Sequence, residues 1–154
     1  NYSENSLNVI EEMLLQEETI CGVGDAGAHV ATICDASYPT FMVPFWSRDR
    51  KRGRLLNLEY LISKQTLKTA HTFGLYDRGV LSSGMKADIN IIDYDKISLT
   101  LPSLSYDLPS GGKRLVQKSV GYEHTFIAGI EVSHKGEFTG ELPGKVIRGS
   151  QKLN

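Results

Sequence analysis

Ile20-Cys21-Gly22-Val23-Gly24-Asp25-Ala26-Gly27-Ala28-His29 closes a short apolar run with glycines, sets one carboxylate among them and adds an imidazole four residues on. An apolar run that breaks at glycine predicts a buried strand, Thr19 to Val23, opening into a loop whose backbone reaches conformations a side chain forbids. Asp25 is then held at the strand end, partly shielded from water. The same letters spell G-x-G-x-x-G from Gly22 to Gly27, the pattern of dinucleotide-binding loops. That pattern needs a helix to begin at the glycines, because the pyrophosphate binds the free N–H groups of a helix start. The run from His29 to Pro39 lacks helical apolar spacing, and Asp25 would put a negative charge inside the phosphate cradle. The stretch therefore reads as a strand-end carboxylate rather than a nucleotide loop.

Upstream, Leu7, Ile10, Met13 and Leu14 recur at helical spacing behind the cap formers Asn5 and Ser6, with Glu11 and Glu12 on the opposite face. This is an amphipathic helix. Helix followed by strand is the repeating half of a parallel α/β architecture. Downstream, Tyr38 to Trp46 carries aromatic bulk interrupted by Pro39 and Pro44, a pattern expected to line a cavity or pack against a neighbouring domain rather than form a regular strand. The basic cluster Arg48-Asp49-Arg50-Lys51-Arg52 reads as a solvated loop, from which the planar fork of Arg48 or Arg50 can meet a substrate carboxylate. Asn57 to Phe73 reads as a second helix, with Leu58, Leu61, Ile62, Ala70 and Phe73 on one side, Asn57 as cap and Gly74 as stop. His71 falls in its last turn, where an imidazolium meets the negative end of the helix dipole, a structural placement.

Past Gly74 the helical period disappears and short β-rich runs alternate with glycine turns. We therefore divide the chain at residues 1–75 and 76–154. The second unit shows strands over 87–94, 114–118 and 124–132, the last running toward a turn at Lys135-Gly136, with a proline- and glycine-rich loop from Pro102 to Gly112. His124 and His134 read as strand and turn residues, with no cysteine or carboxylate at the usual metal-site spacing.

A net charge of −1 over 154 residues argues against nucleic acid or an anionic membrane as main partner, since both require a basic excess. No apolar run approaches the roughly 20 residues of a membrane span, and no basic-then-apolar leader opens the chain. A cytoplasmic location is expected. The two cysteines, Cys21 and Cys34, lack C-x-x-C spacing and read as reduced, largely buried thiols. A start at Asn1 without a targeting pattern suggests a piece of a longer chain.

The chain resembles the C-terminal part of the N-acyl-D-amino-acid deacylases (D-aminoacylases) of the metal-dependent amidohydrolase superfamily. The resemblance is carried by Gly22-Val-Gly-Asp25-Ala-Gly-Ala-His29, Thr32-Ile-Cys-Asp-Ala-Ser-Tyr-Pro-Thr-Phe41, Trp46-Ser-Arg-Asp-Arg50 and Lys64-Gln65-Thr66. It continues through Tyr76-Asp-Arg-Gly79, Gly84-Met-Lys-Ala-Asp88, Asp107-Leu-Pro-Ser-Gly-Gly112 and Pro143-Gly144-Lys-Val-Ile-Arg148. The glycine-plus-Ala-Asp stretch is shared across amidohydrolases, whereas Gly24-Asp25 through Phe41 points to the deacylase branch.

The resemblance implies an α/β fold in which this chain supplies the C-terminal portion of a TIM barrel, its last strand and flanking helices, followed by strands of a small β-sandwich. Asp25 matches the aspartate after the last barrel strand. Such a carboxylate binds the metal, takes a proton from the attacking metal-bound water and hands it to the leaving amine. The implied cofactor is zinc or another divalent metal, whose remaining ligands, an H-x-H pair among them, come from earlier strands upstream. His29 is implied as a substrate contact or an orienter of Asp25, with Arg48 and Arg50 as further substrate contacts. The implied substrate is a small N-acyl amino acid, and the implied partners are the rest of the parent chain and a further copy of it. A full barrel takes roughly 250 residues, so the chain by itself is expected to be inactive. The alternative is a non-catalytic relative, a scaffold or binding protein that has lost its metal site. Retention of Asp25 in its glycine frame favours the enzyme, because a shielded carboxylate is costly unless something neutralises it.

Overall fold

Helices occupy the first half of the chain and antiparallel strands the second in the computed structural model, which describes residues 3–22, 24, 25, 27, 29–149 and 151. The helices are α1 (Asn8–Leu15), α2 (Tyr38–Pro44), α3 (Leu58–Gln65) and α4 (Leu67–Thr72). Helix α1 follows the predicted period, with the Asn8 N–H donating to Ser6 Oγ at 3.2 Å just ahead of it. Its Ile10, Leu14 and Leu15 pack on a core of Met42, Trp46, Leu56 and Leu61. Complete burial of a leucine such as Leu61 is worth about 2 kcal/mol. Glu11, expected on the solvated face, is instead half-buried and accepts hydrogen bonds from Arg50 and Arg54.

The aromatic segment is helical, which corrects the expectation of an irregular cover. Pro39 sits in the first turn of α2, where a missing N–H leaves no acceptor unsatisfied. Pro44 ends α2, and the chain continues as a π-helical turn over Phe45–Asp49, where the Arg50 N–H reaches back five residues to the Phe45 carbonyl at 2.9 Å. This widened turn swings Trp46 into the core, where it is 1% exposed. Phe45 meets Trp46 edge-on at 5.2 Å between ring centroids and stacks on Phe41 at 4.6 Å.

Asn57 caps α3 as predicted, accepting from the Tyr60 N–H at 3.0 Å. The single helix expected over 57–73 is broken at Thr66, whose φ of −118° and ψ of −88° leave the helical region. Its hydroxyl bonds back to the Ile62 carbonyl at 2.8 Å, and that of Thr69 reaches the Lys64 carbonyl at 2.7 Å, local bonds that compete with the helical ladder. Gly74, with φ +69°, ends α4 and donates to the His71 carbonyl at 3.0 Å.

The strand expected over Thr19–Val23 is not formed at Thr19–Gly22, and residue 23 lies outside the described residues. A buried parallel strand needs ladder partners on its edges, and none of the described strands pairs with this segment. Its polar groups turn elsewhere. The buried Lys64 ammonium donates to the carbonyls of Gln16 and Thr19 at 2.7 and 2.6 Å and to Thr19 Oγ1 at 2.7 Å. Burial pushes the Lys64 amine below its ordinary range, and the nearby Lys68 adds to the effect.

The second half holds β1 (Ile89–Ile92), β2 (Ser98–Leu99), β3 (Ser103–Leu108), β4 (Gly112–Val116), β5 (Ser119–Val120), β6 (Tyr122–Ile127), β7 (Ile130–His134) and β8 (Glu137–Phe138). Strands β1-β6-β7-β8 form one sheet, and β2-β5 and β3-β4 form two ribbons, all antiparallel. The strand expected over 124–132 divides at Ala128-Gly129, whose φ values of +51° and +79° make the reversal between β6 and β7. The expected turn at Lys135-Gly136 is present, between β7 and β8. Most of the expected Pro102–Gly112 loop is strand β3, tied to β4 by a bidentate Arg114–Asp107 pair with both bonds at 2.7 Å.

The helical half is fastened onto the strands. Thr40 Oγ1 and the Tyr122 hydroxyl lie 2.9 Å apart, Ser47 Oγ and the Tyr94 hydroxyl 2.8 Å apart, and Ser37 meets Gln117. The loop beyond Asp25 is held by the Leu115 N–H on β4, which donates to the Val30 carbonyl at 2.7 Å.

Candidate functional site

Asp25 is exposed in an irregular loop, which replaces the shielded strand end expected from the sequence. Its backbone N–H donates to Asp35 Oδ2 at 2.9 Å. Asp35 opens a short 3₁₀ turn, Asp35–Ser37, that leads into α2. Gly24 makes this contact sterically feasible: a Cβ there would stand 2.7 Å from Asp35 Oδ1 and 2.9 Å from its Cγ. A side chain at this position would push the Asp35 carboxylate away from the Asp25 N–H. Gly24 and Asp35 face an open cleft of ≈ 460 Å³ with Ile10, Met13, Tyr38 and Met42 on its apolar walls. Cys21 also lines it, and burial pushes its thiol above the ordinary range.

His29 is exposed, with φ +47°, and its carbonyl accepts from the N–H groups of Thr32 and Ile33 at 2.7 and 3.0 Å. Among the described residues no hydrogen bond joins His29 to Asp25. Arg48 reaches the other way, donating to the carbonyls of Tyr94, Asp95 and Ile97, the latter two at 3.1 and 3.0 Å. Arg50 is buried, contrary to the solvated loop expected for 48–52. Its guanidinium pairs with Glu11, donates to Asn8 Oδ1 at 2.8 Å and the Arg54 carbonyl at 3.1 Å, and lies over the Trp46 ring at 4.6 Å. The structure therefore brings Asp25 to Asp35, and takes Arg48 and Arg50 into contacts with the scaffold.

Residues 4–132 match the amidohydrolase family. The chain belongs to this family. The amidohydrolase chain is similar to the N-acyl-D-glutamate deacylase of Alcaligenes xylosoxydans xylosoxydans, with 31% identity over 98 residues. The match covers 64% of this chain and 18% of that protein, so the chain spans less than a fifth of the relative's length. No solved structure matches. The D-aminoacylase resemblance read from the sequence agrees with both findings.

Amidohydrolases are generally metal-dependent, which makes the donor set around Asp25 decisive. A catalytic zinc takes three protein ligands and a water. The Asp35 carboxylate meets the Asp25 backbone N–H rather than its side chain, and Asp25 belongs to no three-donor group among the described residues. These residues do not by themselves fit the metal. The one three-donor group among the described residues lies elsewhere, at His124, Glu131 and His134. Glu131 accepts from both imidazoles, which overturns the expectation that no carboxylate accompanies these histidines.

Sequence reading missed two residues of this picture. Asp35 was hidden because its role depends on the helix start at Tyr38, and the prolines obscured that helix. Its signal is an Asp placed just before an aromatic run with proline in the first turn. Glu131 was hidden because strand spacing alone puts residues 131 and 134 on opposite faces.

Proposed function

We propose that this amidohydrolase chain is part of a metal-dependent hydrolase that cleaves the amide of N-acyl-D-amino acids or related amides, with Asp25 at the reacting centre. The observation that carries the reading is the glycine-framed Asp25, pinned through its backbone by Asp35 beside an apolar cleft, in a chain with deacylase likeness. A carboxylate exposed on this loop suits a base that takes a proton from the attacking water and returns it to the leaving amine. Asp35 is a positioning residue in this scheme, fixing the backbone from which Asp25 projects. His29 contacts the substrate from the same loop. Arg48 and Arg50 serve the scaffold.

In this reading residues 1–75 belong to the C-terminal end of a catalytic TIM barrel and residues 76–154 to a β-sandwich. The change from helices to antiparallel strands between Thr72 and Ile89 supports that division. Zinc or another divalent metal is held with ligands from outside this chain, which leaves the chain alone inactive. No described helix is long and apolar enough to cross a membrane. The free Cys21 and Cys34 suit the reducing cytoplasm. A non-catalytic relative is the second reading, favoured by Asp25 lying outside any three-donor group among the described residues.

A chiral assay separates the two. Protein carrying this chain, supplied with Zn²⁺, is incubated with N-acetyl-D-glutamate, its L enantiomer and a panel of other N-acyl amino acids. Release of the free D-amino acid is expected, with the 154-residue chain alone giving none. Absence of hydrolysis across the panel in the longer protein would assign the scaffold role.

A further inference from the structure

The β6–β7 hairpin gathers three side chains that the role of Asp25 leaves unused. Side chains alternate along a strand, so residues 131 and 134 of a regular β7 point to opposite faces. In this hairpin Thr125 pairs with Ser133 and Phe126 with Glu131, so Val132 is passed over in the pairing. That one-residue β-bulge shifts the alternation and turns Glu131 onto the face that carries His134. His124 lies directly opposite His134 in register and therefore shares it.

Side-chain geometry agrees with the register. Glu131 Oε1 lies 2.7 Å from His124 Nδ1 and 3.0 Å from His134 Nδ1. The two imidazoles meet edge-on with centroids 4.7 Å apart, and Phe126 stacks on His124 at 6.0 Å. One ligand atom from each of the three residues lies within 4.8 Å of the others. Side-chain exposures of 33%, 34% and 52% for His124, Glu131 and His134 leave the group open to an ion from solvent.

We propose that His124, Glu131 and His134 form a binding site for a divalent cation of the zinc class. Bond lengths of about 2.0–2.1 Å in a tetrahedral site set donor atoms about 3.3 Å apart, so each imidazole moves a few tenths of an ångström away from Glu131 to admit the ion. Each neutral ring ligates through Nδ1 while its proton moves to Nε2, and Glu131 exchanges two N–H donors for the metal. The fourth position goes to water. Two imidazoles with one carboxylate select Zn²⁺, Ni²⁺ or Cu²⁺ over Ca²⁺ and Mg²⁺, which require oxygen-rich shells. Glu137 on β8 opposes His134 in register and adds negative charge to the same face.

The chain has four histidines, so imidazole proton NMR reads the site directly. Substoichiometric Cu²⁺ is expected to broaden the ring signals of His124 and His134 and to spare His29 and His71, and calorimetry with Zn²⁺ alone to give one equivalent on these residues. E131Q is expected to weaken Zn²⁺ at least tenfold, H134Q to remove the site, and Mg²⁺ to leave all four rings unmoved. Backbone amide spectra confirm that each variant keeps its strands. Unmoved His124 and His134 signals, or Zn²⁺ binding equal in wild type, E131Q and H134Q, would overturn the proposal and leave the trio as a hydrogen-bonded latch. This readout is independent of deacylase activity.

Discussion

Replacing Arg50 by alanine tests whether that guanidinium belongs to the scaffold or to the substrate. Its side chain is 2% exposed and its partner Glu11 12% exposed, so the pair is largely removed from water. Taking one partner from a buried ion pair costs about 3–5 kcal/mol, because the other charge stays buried without compensation. Glu11 keeps Arg54, whose side chain is 64% exposed, which places the expected loss near the lower limit, about 3 kcal/mol. The guanidinium over Trp46 accounts for about 0.5–1 kcal/mol of cation–π attraction that disappears in the same substitution. Helix α1 is docked through Glu11, so hydrogen exchange of its amides reads the effect. A loss of 3 kcal/mol corresponds to roughly a hundredfold faster exchange. R50K keeps the charge but not the fork and is expected to fall between R50A and wild type. Unchanged protection of α1 in R50A, together with a raised KM for an N-acyl amino acid, would refute the scaffold assignment.

Three further outcomes follow from the same geometry. Hydrogen bonds from Arg50 and then Arg54 hold the Glu11 carboxyl below its ordinary value, so the docking of α1 is fully stabilised above about pH 4.3 and weakens as pH falls through the lowered value. Exchange of the α1 amides against pH checks this, and R50A should flatten the profile. G24A forces a Cβ into the Asp35 carboxylate and should cost about 1 kcal/mol, the worth of an exposed charge-assisted hydrogen bond. Combined with D35A it should add little, and full additivity of the two in denaturation would show that they act separately. Arg114 holds Asp107 down at about 2, so a carboxyl-carbon NMR titration should find Asp107 ionised at pH 3, and protonation near pH 4 would contradict the β3–β4 pair.

Periodic signals made the parts of the fold that depend on local sequence legible. The apolar face of α1, the Asn57 cap and the glycine turns at 74 and 136 needed only neighbours within a turn. The tertiary choices were not legible. Thr66 broke a long helix because its hydroxyl found a backbone acceptor, and the aromatic run became α2 because its prolines fall at its first turn and last residue. Thr19 to Gly22 look like a strand, yet a strand is a property of the sheet around it, and Lys64 took its carbonyls instead. At the site, the family and the glycine frame of Asp25 were legible. Asp35 and the Glu131 bulge were not, because each depends on contacts ten residues away or across a hairpin.

The central claim is that Asp25 carries the chemistry. Steady-state hydrolysis of N-acetyl-D-glutamate by protein carrying this chain, with wild type compared to Asp25→Asn, tests it most directly. The account predicts that kcat falls by 10²-fold or more, the typical contribution of a positioned base, while KM changes little. An Asp25→Asn protein that keeps wild-type kcat would contradict it.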